Sequence, residues 1–306
     1  MDYDKELIDY YREQKIYRKN PLRLDYYCTN AKLDAKDNCW YLKSRKLNPF
    51  KGYQRVTRPY VGKHYKTSRV LILGMNHRDN FDQKIFDEPS ESQTESQNLV
   101  EDLRDPNKYK YYSEYCSLWY ASKCIKDRIN KGEMGLCNSA YGKTYAFMFT
   151  YAVILVGMVC NFQEIKGDIE TSKEQSIITD YIAWTQTVKC NPKEVRKQNP
   201  TVSMWKNCPC YVLQGELEIL KPKYILVLGL TDNFPSILRL LRKMNFKQDS
   251  NQGHYKSRKP PNIKYWVGYK GRSRIHLIGV PHPGTPRGYK QEEISKKLRS
   301  LLQSIA

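Results

Sequence analysis

The run "KYILVLG", Lys223–Gly229, is apolar at nearly every position. A strand with one wet face alternates apolar and polar residues, so an unbroken run needs cover on both faces. "RVLILG", Arg69–Gly74, has the same character, and a further apolar stretch ends near Val280. Another strand reads into a loop in "DYIAWTQTVKCNP". Between these runs lie amphipathic segments: "CYVLQGELEILKP", stopped before Pro222, and "NFPSILRLLRKM". Strands alternating with helices predict an α/β fold, a three-layer α/β/α sandwich with a central parallel four-stranded sheet. Ligands bind such sheets at the carboxyl ends of the strands. The loops that matter therefore follow Leu73, Val188, Leu228 and Gly279.

The remaining sequence organises around that core. With 306 residues the chain can bury one large α/β domain or two small ones. Residues 1–67 are polar, basic and tyrosine-rich, and read as an N-terminal helical and irregular segment packed on the core. Residues 68–306 form the main domain, with a long insertion at about 77–180. Inside it, "DEPSESQTESQ" is an exposed loop and 109–130 is helical. The segment 145–160 is too short for a comfortable membrane span and reads as a buried helix. "IKYWVGYKGRSRIHLIGVPHPG" offers a hairpin and the final strand, and a basic amphipathic helix follows.

Charge narrows the partners. Against 32 Asp and Glu stand 52 Lys and Arg, a formal excess of +20. That excess predicts a polyanionic partner, nucleic acid before an anionic membrane surface. Tyrosines interleaved with lysines, as in "PNKYKYYSEY", suit phosphate contacts beside stacking surfaces. The start, "MDYDKELIDYYREQ", is charged and lacks an apolar leader core, so a cytoplasmic protein without a membrane partner is expected. Nine cysteines in a reducing compartment point to buried thiols or metal ligands rather than disulfides.

Polar residues crowd the predicted strand ends. "GMNHRDNF" follows the first strand, Gln186 lies near the end of the second, and "GVPHPGTPRG" follows the last. In these motifs the chain resembles the uracil-DNA glycosylase superfamily. "VLILGMN" looks like its first motif, in the Gly-Met-Asn form of the single-strand-selective and mismatch-specific branches. "TVKCNP" with "CPCYVLQGELEILKPKYILVLG" resembles the centre of the iron–sulfur branch. "PHPGTPRG" looks like the His-Pro-Ser motif, with Gly284 where Ser is usual. The likeness covers about 69–76 and 181–290.

The resemblance implies a base-excising enzyme, and the chemistry can be argued from the residues. Cleaving an N-glycosidic bond builds a cationic sugar and a departing base anion. The base must first leave the stack. Asn76 can orient water without adding a full charge, and the resemblance gives it that role; Asp79 is the runner-up, as base or as stabiliser of the cation. His77 stands where the family has proline. His282 can donate to the base oxygen as negative charge grows there. Gln186 replaces the Asn that reads the uracil edge in the iron–sulfur branch. Its amide is ~1.5 Å longer in reach, the length of one carbon–carbon bond, which favours a base other than plain uracil. Phe81 is the nearest stacking aromatic, with Trp119 and Phe149 as alternatives. Thr285, Arg287 and Lys290 follow His282 in the loop that, in the family, enters the DNA minor groove; Arg287 is the wedge or a phosphate contact.

The resemblance also implies a [4Fe–4S] cluster. Cys190 and Cys208 sit where two ligands are expected, with Cys210 competing for the place of Cys208. The family's other pair precedes the first strand as Cys-x2-Cys. Here that region holds Cys28 and Cys39, with ten residues between them. Four thiolates suit such a cluster, and zinc is the alternative. Its role would be structural. The functional expectation is thus a monofunctional DNA glycosylase acting on a flipped, modified pyrimidine, such as a hypermodified cytosine of phage DNA, in anti-phage defence. The alternatives are ordinary uracil repair and a non-catalytic nucleic-acid binder on the same fold.

Overall fold

In a computed structural model, the described residues are 3–14, 53–54, 59–75, 151–160, 178, 180–189, 191–192, 200, 202–250, 255–256, 262–282 and 291–305. They fall into two compact units. One takes the residues up to 58 and Gln186–Ile219; the other takes Pro59–Met75, the residues from 151 to Thr185, and those from Leu220 onward. The predicted helix at 109–130 and most of the insertion lie outside the described residues.

In chain order the elements begin with α1 (Tyr3–Glu13), β1 (Tyr53–Gln54), β2 (Tyr60–Val61), α2 (Tyr65–Ser68) and β3 (Val70–Gly74). Residues 151–160 are helical, here α3. Then come β4 (Ile182–Gln186), β5 (Asn191–Pro192), α4 (Val202–Cys208), a π-helical turn (Pro209–Leu213) and α5 (Gln214–Leu220). The chain continues with β6 (Tyr224–Leu228), α6 (Asn233–Lys243), β7 (Lys247–Gln248), β8 (Tyr255–Lys256), β9 (Lys264–Lys270), β10 (Ser273–Val280) and α7 (Gln291–Ile305).

The fold is α/β around a mixed eight-stranded sheet of order β2-β4-β3-β6-β10-β9-β7, with β8 also on β9. All four predicted strands are present, adjacent in the order β4-β3-β6-β10. β6 pairs in parallel with both β3 and β10. The sheet is larger than the four strands expected and not wholly parallel, because β9 returns antiparallel on β10 and β2 lies antiparallel on β4. The central strands are apolar throughout, as burial on both faces requires: β3 is buried at every position, and β6 from Ile225 to Leu228.

The helices bury one stripe each. In α6, Phe234, Ile237, Leu240 and Leu241 are buried, the spacing of one helical face. Arg242 and Lys243 close its last turn, where positive charge suits the helix dipole. Phe234 rests on Gly279 of β10; a Cβ there would lie 2.4 Å from the ring, so only glycine lets α6 approach this closely. In α7, Ile294, Leu298, Leu301 and Leu302 repeat the same pattern. In α3 the residues Tyr151–Val156 are buried, as expected of a core helix. No helix among the described residues is long and apolar enough to cross a membrane.

The helix expected to begin at Cys210 begins at Val202 instead. Cys208 and Pro209 continue it through the π turn rather than opening it. Proline near the start of a helical segment lacks an N–H to lose, and here the chain passes it by widening the helix for one turn.

Candidate functional site

The sheet supplies a rim in one unit. Because β3, β6 and β10 are parallel, Met75, Gly229 and Pro281 leave at the same end. Two ties hold that end together. The Asn233 carboxamide, 1 % exposed, donates through Nδ2 to Leu228 O at 3.0 Å and to Leu73 O at 3.4 Å. Gly229 N donates to Val280 O at 2.9 Å. The Lys264 ammonium donates to Leu230 O at 2.9 Å and lies 5.8 Å from the centre of the Phe234 ring. His282, half-buried, stands two residues beyond β10 on this rim. Sequence reasoning missed Asn233: an Asn opening a helix reads as a capping residue, and its bond to a strand 160 positions earlier leaves no local signal.

Gln186 closes β4 and is 6 % exposed. Its Oε1 is buried and has no hydrogen-bond partner. Buried polar atoms are nearly always paired, and Gln186 Oε1 shares its open state with Trp184 Nε1 of the same strand. Thr187 and Lys189, which follow it, are also buried, at 0 % and 1 % exposure. Gln186, Thr187 and Lys189 belong to the other unit.

Lys189 Nζ lies 2.6 Å from Glu216 Oε2, with both side chains sealed from water. Glu216 Oε1 accepts a short hydrogen bond from the Tyr11 hydroxyl of α1. The neighbouring Tyr10 hydroxyl donates to Tyr211 O at 2.9 Å and Val212 O at 3.0 Å. Those carbonyls lie in the π turn, where the i to i+4 ladder is broken and acceptors are left over. Burial first, and then the Glu216 carboxylate, raise the Tyr10 phenol above its ordinary value, so it remains a donor. The Lys189 backbone N–H donates to Cys208 Sγ at 3.2 Å. Sequence reasoning found Cys208 and Gln186 but not Lys189, Glu216, Tyr10 or Tyr11, since charged and phenolic side chains ordinarily read as surface.

Cys208 is buried and Cys210 half-buried. An N–H aimed at sulfur is a contact that a metal-held sulfur also takes. Among the described residues no group of three or more His, Cys, Asp or Glu is arranged to hold a metal. Cys28, Cys39 and Cys190 lie outside the described residues, as do Asn76, Asp79, Phe81, Trp119, Phe149, Thr285, Arg287 and Lys290. A scan against protein-family models gives no match to this chain, and a search of curated proteins gives none either.

Proposed function

We propose that the chain is a monofunctional DNA glycosylase that hydrolyses the N-glycosidic bond of a flipped, modified pyrimidine and leaves an abasic site. The observation that carries this reading is the Gln186 carboxamide, buried at the end of β4 with Oε1 unpartnered. An amide in that state offers a base edge a hydrogen-bond acceptor already stripped of water. The parallel strands give further support, since Met75 and Pro281, the described residues that lead into the two motifs, leave the sheet at one end. On this reading Asn76 orients water, with Asp79 as second candidate, and His282 donates to the leaving base. Gln186 and Phe81 hold the base, and Thr285, Arg287 and Lys290 meet the DNA backbone. The finer fold proposed is the three-layer α/β/α sandwich.

The proposed cofactor is a [4Fe–4S] cluster, or zinc, held by Cys28, Cys39, Cys190 and Cys208 or Cys210. Bound there, it would act as a staple. The Cys208 sulfur, with its N–H from Lys189, is the part of this set that the described residues support. The proposed setting is the cytoplasm, and the proposed role anti-phage defence.

The test is a glycosylase assay on uracil DNA, unmodified DNA, and phage DNA with hydroxymethylated or glucosylated cytosine, each followed by hot alkali. Cleavage of a modified DNA alone is expected, and Asn76→Ala should abolish it while binding survives. Cleavage of uracil DNA would move the assignment to ordinary repair. Binding without cleavage of any substrate would leave a non-catalytic binder.

A further inference from the structure

The amino end of the same strands carries a second polar surface that the proposed chemistry does not use. β7, β9 and β10 pair so that Lys247 lies beside Tyr269, and Tyr269 beside Arg274. Directly paired residues point to one face, so the three form a row, cation–ring–cation, across three strands. Neighbouring strands are about 4.8 Å apart, which makes the row roughly 10 Å long. Tyr269 is 44 % exposed and Arg274 45 %. The β9–β10 turn adds exposed Arg272.

The row continues toward the sheet centre. His276 pairs with Tyr224, and their rings stack at 4.8 Å. Exposed Lys223 lies 5.5 Å from the centre of the Tyr224 ring. Among the described residues of this face the opposing charge is Asp249, 3.4 Å from Arg274. The excess positive charge reaches inward: after burial, Arg274 and Lys223 are what hold the His276 imidazole below its ordinary value.

We propose that this face is a nucleic-acid contact, distinct from the rim that bears His282, in which Tyr269 stacks on an unpaired base while Lys247, Arg272 and Arg274 meet phosphates. An exposed flat ring between cations is what a single strand needs, because every base has a stacking face and every linkage a charge. An anionic membrane fits less well. Among the described residues of this face Tyr269 is the exposed large hydrophobic side chain, and no aliphatic residue accompanies it for insertion into lipid. Arg274 and His282 stand eight positions apart along β10 and its exit, about 26 Å of extended chain. A strand held here therefore leaves the rim open.

The test uses the full chain and a fluorescent single-stranded oligonucleotide of unmodified bases, so it does not depend on glycosylase activity. Affinity is measured by anisotropy across a salt series. The triple variant Lys247→Gln/Arg272→Gln/Arg274→Gln should bind at least tenfold more weakly, with a salt slope shallower by about 2. Tyr269→Ala, tested separately because it leaves every charge in place, should weaken binding about tenfold with the slope unchanged. Wild-type affinity and slope in both variants would overturn the proposal. So would loss of binding to phosphatidylserine vesicles by the triple variant while oligonucleotide binding stays intact.

Discussion

Lys189 and Glu216 face each other at 2.6 Å with 1 % and 0 % of their side chains exposed. Such a pair is held by mutual need: each charge is costly in the interior unless the other is present. Lys189→Met alone leaves a buried carboxylate, and about 3–5 kcal/mol of stability should be lost. Lys189→Met with Glu216→Gln removes both charges and keeps an acceptor for the Tyr11 hydroxyl. Urea denaturation should show the double variant recovering most of that loss. A double variant as unstable as the single one would mean that packing, and not charge, sets the cost.

Acid should weaken the fold through His276. Its imidazole is 4 % exposed, accepts or donates at Nδ1 with the Tyr265 hydroxyl at 2.8 Å, and stacks on Tyr224. Burial first, then the charges of Arg274 and Lys223, push its pKa from 6.5 down to about 4, with Asp249 opposing. In this window the unfolded chain binds a proton that the folded chain refuses, so stability rises with pH. The contribution is complete above the unfolded value and drains away as pH falls toward the folded one. It amounts to something on the order of 3 kcal/mol. His276→Gln should flatten the slope in that range, read as the difference between the two proteins' stability–pH curves.

Gly215→Ala should destabilise, against the usual helical preference. Alanine in place of an interior glycine normally gains about 1 kcal/mol. Here the new Cβ would sit 2.2 Å from the Tyr10 ring. The ring must swing aside and give up its bonds to Tyr211 O and Val212 O, each worth about 1 kcal/mol. A net loss of roughly 1 kcal/mol is expected. An ultraviolet titration offers a direct check: the raised Tyr10 phenol should fall back toward its ordinary range.

Gln186→Met should separate stability from activity. The change replaces a carboxamide whose buried Oε1 has no partner with an apolar chain of similar shape. Stability should hold to within about 1 kcal/mol, while, on the proposed reading, excision of the modified base is lost. Gln186→Asn shortens the amide and should shift cleavage toward uracil DNA. A Met variant that keeps full base selectivity would remove Gln186 from the recognition scheme.

The elements that the sequence made legible are those whose apolar pattern is set locally. β3 and β6 are near-continuous apolar runs, β10 is apolar from Leu277 to Val280, and α6 and α7 are stripes of helical period. The two-residue strands β1, β2, β5, β7 and β8 carry no period, because two residues cannot. The π turn was hidden for another reason: "CPCYVLQ" keeps its amphipathic character through the widened turn. At the site, Gln186 stood out by comparison with a family motif. The Lys189–Glu216 pair did not, since a burial that depends on two charges 27 positions apart is written in neither segment alone.

Tyr11 and Glu216 stand 205 positions apart in the chain. On the ribosome, Tyr11 of α1 is made 205 positions before the carboxylate that completes it. Over that span Tyr11 is without its buried partner. Closing so long a loop is also slow, since its entropy is lost before any contact compensates. This unit thus joins two segments distant in the chain, and α1 cannot make this bond before the second of them exists.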